Sequence, residues 1–211
     1  MTDHFATARS DYATPPLSLD DIGDDPLVAI AAWTEAARLA GEPQPDAMSL
    51  ATVSATGLPS VRTVLLKKVD TGLVFFTNYK SAKAADLAAT AEAAVNLVWL
   101  TIHRQVRAAG PVERIAEAES DDYFATRPRG AQIAAAASRQ SAPMRDRGEL
   151  ESAFAELAAR HPEDVPRPKN WGGFRLTPRR VEFWQGRQNR MHDRFVFTRA
   201  GLDWSVERLW P

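Results

Sequence analysis

The sequence predicts a mainly β protein with peripheral helices, its strands arranged as an antiparallel barrel. Three observations lead there. Short apolar runs bounded by turn residues recur from Ser49 to about Ile115, and again from Gly173 to Arg208. Helical spacing is confined to separate stretches around those runs. No G-x-G-x-x-G element follows a strand, which argues against a Rossmann nucleotide site.

Taken in order, residues 1–24 are polar and proline-containing, and read as a mobile arm ahead of one domain, 25–211. Asp25-Pro26 looks like an N-cap followed by proline at the first helical position. Leu27, Ile30, Trp33 and Ala37 follow at helical spacing, and Gly41 closes that helix. Leu50–Val53 and Val61–Lys67 flank a Thr56-Gly57 turn, and Leu73–Thr77 follows Asp70-Thr71-Gly72. A short helix near 81–90 interrupts the strands, which resume at Ala94–Leu100 and Gln105–Ile115. Residues 117–137 read as helix broken at Pro128, and Leu150, Phe154 and Leu157 mark another. Gly173–Leu176, Val181–Trp184, His192–Phe197 and Leu202–Arg208 complete the strand set.

The 211 residues are 45% hydrophobic and 25% charged, neither disordered nor membrane-like in composition. A net charge of −1 disfavours a nucleic acid partner, and an anionic small molecule suits the late arginine clusters better. There are no cysteines, so thiol catalysis and cysteine-ligated metals are excluded, and no other grouping has convincing metal spacing. The opening residues have no signal-peptide run and no stretch reaches membrane-spanning length, so a cytoplasmic location is expected.

Four constellations carry candidate chemistry. If residues 190–194 form a strand, Arg190, His192 and Arg194 share one face. Two guanidiniums and an imidazole there call for an anion or polar ligand, although a solvated edge strand also accounts for them. Trp184 just upstream favours the ligand, because its ring is a wall for a flat cofactor. Arg62 and Lys67 bracket the apolar run R-T-V-L-L-K. Five apart, they face opposite sides of an unbroken strand, so they are surface cations unless a bulge or the strand end unites them. In F-F-T-N-Y-K-S-A-K, residues 75–83, a strand runs into a helix N-terminus with Thr77, Ser81 and Lys83, an anion site or an ordinary cap. Tyr123 and Arg127 lie on one helix face before Pro128, as a phosphate site or a packing pair. Gln105, Gln140 and Ser141 add neutral hydrogen-bonding groups.

Together, R-T-V-L-L-K (62–67), F-F-T-N-Y-K-S-A-K (75–83), R-Q-V-R (104–107), Y-F-A-T-R-P (123–128), S-R-Q-S (138–141), W-G-G-F-R-L (171–176) and E-F-W-Q-G-R-Q-N-R-M-H-D-R (182–194) resemble the pyridoxine/pyridoxamine 5′-phosphate oxidase family. The resemblance runs from about residue 26 to the C-terminus and implies an FMN-binding split barrel, dimeric, with its sites at the subunit interface. It implies FMN contacts from Arg62, Thr63, Val64, Leu65, Leu66, Lys67, Phe76, Thr77, Lys83, Gln105, Gln140, Ser141, Trp184 and Arg194. It places the phosphate of a B6 vitamer on Lys67, Tyr123 and Arg127, with Ala131 nearby, and Arg190 and His192 against the pyridine as the catalytic pair. Arg9 and Tyr12 would cover the site as a lid. Ala82 stands where the family commonly has a cation beside the FMN phosphate, and Ala131 where it has a serine. The implied reaction moves a hydride from C4′ of the vitamer to FMN, which O2 reoxidises. A phenazine-pathway flavin oxidase, or a flavin or pyridoxal phosphate carrier without turnover, are the alternatives.

Overall fold

Asp25 opens the first helix as its sequence predicts. Its carboxylate accepts from the Leu27 N–H at 2.8 Å, and α1 runs Pro26–Leu39 until Gly41, at φ +82°, ends it. A computed structural model of the chain describes residues 12–211, the stretch to which all that follows refers. The strands are β1 Ala47–Val53, β2 Pro59–Leu65, β3 Lys68–Val69, β4 Leu73–Asn78, β5 Glu92–Trp99, β6 Arg104–Arg114, β7 Trp171–Leu176, β8 Arg180–Gln185, β9 Asp193–Ala200 and β10 Asp203–Arg208. Helices α2 Ala82–Thr90, α3 Glu117–Thr126, α4 Arg129–Ala137 and α5 Arg147–Arg160 surround them. No helix among the described residues is long and apolar enough to cross a membrane.

Every strand pairing is antiparallel, and the main path runs β10-β9-β8-β6-β5-β1-β2. The sheet curls because β6 serves two neighbours. Residues 104–109 pair with β8, and Val112–Arg114 pair with β7, which carries β4 and then β3. The change of partner falls at Gly110. A Cβ there would lie 2.1 Å from the Thr177 carbonyl oxygen, so only glycine admits the crossing chain.

Direct cross-strand partners share a face, and this separates two sets of residues. Arg62, Leu50, Val95, Ala108, Val181 and Phe197 form one row, and all but Arg62 are buried in the core. Val98, Gln105, Trp184 and Arg194 form another. Gln105 is three residues from Ala108, so that row lies on the opposite, outer face. Inside, Leu50, Phe75, Leu97, Val106 and Phe183 pack beneath Trp33 of α1, whose ring meets Phe183 edge-on at 5.0 Å.

Two expectations change. The arm expected over 1–24 is seated on the barrel from Tyr12 onward, with Leu17 and Ile22 buried. Gln185 Nε2 donates to the Pro15 carbonyl at 2.6 Å, the Leu17 N–H donates to Asp193 Oδ2 at 3.1 Å, and Thr14 exchanges hydrogen bonds with Gly186 and Arg187. Arg9 lies outside the described residues. The strand face expected for Arg190, His192 and Arg194 does not form either. Residues Gln188–Arg190 make a 3₁₀ turn in which Asn189 (φ +55°) and Arg190 (φ +61°) are left-handed, and β9 starts only at Asp193. The turn re-aims Arg190 away from the alternation that strand geometry would impose.

Candidate cofactor and substrate site

The junction between β4 and α2 gathers a charged cluster. Lys83 Nζ donates to Gln140 Oε1 at 2.9 Å, to Thr77 Oγ1 at 3.2 Å and to Ser81 Oγ at 3.4 Å. Ser141 Oγ accepts from the Ala82 N–H at 3.2 Å, and Asn78 Nδ2 donates to the Ser138 carbonyl, so the loop after α4 hangs on this junction. Arg62 reaches the same place from β2. Its Nη1 donates to Thr52 Oγ1 at 2.5 Å and its Nη2 lies 3.6 Å from Asp86, which itself holds the Thr52 hydroxyl. Burial, and then the Arg62 charge, pull the Lys83 ammonium below its usual pKa. Among the described residues Lys83 has no carboxylate partner. A desolvated cation held by neutral oxygens is an electrostatic demand for an anion.

A second cluster stands at the end of α3. The Tyr123 ring stacks on Phe76 at 3.9 Å, Phe76 stacks on Trp171 at 5.4 Å, and the Arg127 guanidinium lies 4.6 Å from the Trp171 centroid. Arg127 Nη1 is buried with no hydrogen-bond partner, and burial lowers the pKa of its guanidinium. A buried unpaired donor costs about 1–3 kcal/mol, more when charged, so an acceptor is expected there. Ala131, half-buried, lies four residues on, in the first turn of α4.

The third group lies on the outer face. Trp184 meets His192 at 4.6 Å between centroids, and the Tyr12 ring sits 4.6 Å from His103, 5.9 Å from His192 and 6.1 Å from Trp184. Gly186 makes room for it, since a Cβ there would lie 2.7 Å from the Tyr12 ring. The Arg187 N–H donates to His192 Nδ1 at 3.1 Å. Burial, and then the Arg190 charge, hold the imidazole below its usual pKa, against an opposing pull from Asp193. Because Nδ1 accepts that bond, Nε2 is the nitrogen that carries the proton when the ring is neutral. Gln105 and Arg194 flank Trp184 across the sheet.

Residues 34–185 match the family model described as pyridoxamine 5′-phosphate oxidase, well over half of the chain. The chain belongs to the pyridoxamine 5′-phosphate oxidase family. Residues 171–211 match that described as the pyridoxine 5′-phosphate oxidase C-terminal dimerisation region. A protein named pyridoxine/pyridoxamine 5′-phosphate oxidase from Burkholderia vietnamiensis is 47% identical, covering 98% of this chain and 99% of its own. One of the same name from Rubrobacter xylanophilus is 48% identical, over 98% and 96%. Among solved structures, PhzG from Burkholderia lata 383, in complex with tetrahydrophenazine-1-carboxylic acid, superposes with a TM-score of 0.90 at 30% identity. That match covers 96% of this chain and all of the other. A pyridoxamine 5′-phosphate oxidase-related, FMN binding protein from Nostoc punctiforme shares the fold at a TM-score of 0.74 and 19% identity, covering 90% of this chain and all of that one.

Within this oxidase family member, the residues singled out by sequence fall into the three groups just described. Arg62, Thr77, Lys83, Gln140 and Ser141 come together, as do Phe76, Tyr123 and Arg127, and as do Gln105, Trp184, His192 and Arg194. Lys67 joins none of them, because β2 ends at Leu65 and its ammonium pairs with Asp46 at 2.5 Å. Of its neighbours, Leu66 is buried in the core and Thr63 and Leu65 are exposed, with Val64 between. Trp171, Thr52, Asp86 and Glu182 were missed. Trp171 stood in a quoted motif without a role, and Glu182 is a lone acid inside an apolar strand run, which is a readable signal.

Proposed function

We propose that this protein oxidises pyridoxine 5′-phosphate or pyridoxamine 5′-phosphate to pyridoxal 5′-phosphate, with FMN as cofactor and O2 as acceptor, as a cytoplasmic homodimer. The reading rests on one observation above the others. The chain holds two separate cationic clusters, around Lys83 and around Arg127, each buried in part and neither Lys83 nor Arg127 paired with a carboxylate among the described residues. A phosphorylated cofactor and a phosphorylated substrate need two such sites.

The donor sets fit these ligands. Lys83, Arg62, Thr77 and Ser141 would hold the FMN phosphate, with Ala82 leaving the work of a further cation to Lys83 and Arg62. Trp184, Gln105 and Arg194 would meet the flavin ring, and Arg127 and Tyr123 the substrate phosphate. FMN supplies the hydride acceptor and the route for electrons to O2. The chain's own residues position and polarise. Arg190 and His192 orient the pyridine, and a neutral His192 offers its Nε2–H as a donor toward the substrate. Tyr12 closes the edge of that face and excludes water.

Two copies are required on this reading. Arg62 and the Gln105–Trp184–Arg194 row project from opposite faces of one sheet, so a single chain cannot bring both to one flavin. The partner's outer face completes the pocket, in keeping with the match to a dimerisation region.

The test is oxygen uptake by the FMN-loaded protein. Pyridoxine 5′-phosphate should support turnover, and Arg127→Ala should raise its KM about ten- to a hundredfold while FMN affinity holds, the loss typical of a charged hydrogen bond. An unchanged KM would remove the phosphate from Arg127. A second reading follows from the superposition on PhzG and from Ala131, which offers the phosphate no hydroxyl. An aromatic carboxylate would then occupy the Arg127 pocket, and turnover of a reduced phenazine carboxylate without turnover of the phosphate would establish it.

A further inference from the structure

The outer face buries one carboxylate completely. Glu182 of β8 has no exposed surface, yet three guanidiniums converge on it. Oε1 accepts from Arg194 Nε at 2.9 Å and lies 2.8 Å from Arg194 Nη2. Oε2 lies 2.5 Å from Arg107 Nη2 and accepts from Arg180 Nη2 at 3.2 Å. Burial raises the pKa of the carboxyl, and the hydrogen bonds from Arg107 and Arg194 outweigh it, so Glu182 stays ionised. Four donor contacts on two oxygens leave it no capacity for a ligand.

Arg194 is the member of that trio in register with Trp184. Its guanidinium has five N–H donors. Glu182 takes the edge formed by Nε and Nη2, and the Trp210 carbonyl accepts from Nη1 at 3.0 Å. Two N–H groups remain, on a plane locked at two edges. An arginine side chain otherwise samples many rotamers, and orienting it at binding would weaken the complex.

We infer that Glu182 is a positioning residue for the flavin site: it touches no ligand, and it sets the plane of Arg194 so that the two remaining N–H groups are presented to the cofactor beside Trp184. The inference rests on the flavin reading above. It also explains the convergence of three arginines. Arg107 and Arg180 occupy Oε2, so Glu182 cannot rotate to give up Arg194 without leaving two guanidiniums unpaired.

The amide of glutamine can accept on only one atom, so Glu182→Gln must face an N–H₂ toward either Arg194 or the Arg107–Arg180 side. The experiment is a double-mutant cycle on FMN affinity, read by quenching of flavin fluorescence in the refolded, FMN-stripped dimer. Glu182→Gln should weaken FMN about tenfold in the wild-type background and change it less than twofold in the Arg194→Ala background, the coupling expected of residues acting in series. Glu182→Asp, which keeps the charge, should recover part of the loss. Equal weakening in both backgrounds would make Glu182 a purely structural residue and overturn the inference. Should Glu182→Gln fail to fold, Glu182→Asp enters the same cycle with the same two outcomes. Lys83→Ala separates the levels. If it abolishes FMN binding while Arg194→Ala leaves it intact, the positioning role falls and the flavin site stands. If the wild-type dimer takes up no FMN, both fall.

Discussion

The cluster around Lys83 and the face around Trp184 serve one proposed ligand by different physics. The first is local and electrostatic. A strand end, a helix start and one loop bring Lys83, Thr77, Gln140 and Ser141 within hydrogen-bond reach, and Arg62 is pinned alongside by Thr52 and Asp86. The second is an assembly of register. Gln105, Trp184 and Arg194 come from three strands, and their common face follows from pairing alone. Damage to the first should therefore act through charge, and damage to the second through orientation and protonation.

The largest effect is expected in the charged cluster. Lys83→Ala should weaken FMN binding by up to about a hundredfold, the range for loss of a charged contact to phosphate. The FMN-free protein should melt no lower than wild type, because the substitution removes a desolvated cation that lacks an acid partner. A large drop in melting temperature would instead make Lys83 a structural residue and erase the contrast between the regions.

A smaller effect should appear on the outer face as a shift of pH. His192 is held below its ordinary pKa of about 6.5. The unfolded chain therefore takes up this proton first as pH falls, and the stability of the neutral imidazole is present above about 6.5 and lost below it. The acidic limb of kcat/KM should follow the same group and lie below that value. Arg190→Gln removes one of the two causes of the depression, so the limb should move to higher pH. A limb that stays in place would detach activity from His192.

The smallest effect sharpens the substrate pocket. Ala131→Ser restores one neutral hydroxyl at the start of α4 and should lower KM for pyridoxine 5′-phosphate by less than tenfold, as a net contribution of about 0.5–1.5 kcal/mol allows. Steady-state kinetics on that variant would show whether the phosphate lies beside α4. A rise in KM would place it elsewhere.

The same contrast explains what could be read from sequence. Elements whose signals are local appear where the spacing puts them: the Asp25-Pro26 helix start, the Thr56-Gly57 turn, the break at Pro128. Thr77, Ser81 and Lys83 were legible as a group because they lie within seven residues of one another, whereas Gln140 and Ser141, 57 residues and more further on, joined them only through the resemblance. The Arg190–His192–Arg194 face was misjudged because alternation assumes a strand, and two successive left-handed residues replaced it. Asn189 tolerates that conformation and could have warned of it, whereas Arg190 gives no such sign. The burial of Leu17 was hidden for another reason. Its partner Asp193 lies 176 residues away, and isolated apolar residues in a polar stretch carry no period.

The opposite-faced placement of Arg62 and Trp184 has a genetic corollary. In a twofold dimer of the proposed kind, each pocket takes its charged half from one copy and its flat wall from the other. Let one copy carry Lys83→Ala and its mate Arg194→Ala. One pocket then inherits both lesions, and the other inherits neither. Two inactive alleles would thus restore function when expressed together, with at most one working pocket per mixed pair, whereas two lesions within the same half would never complement.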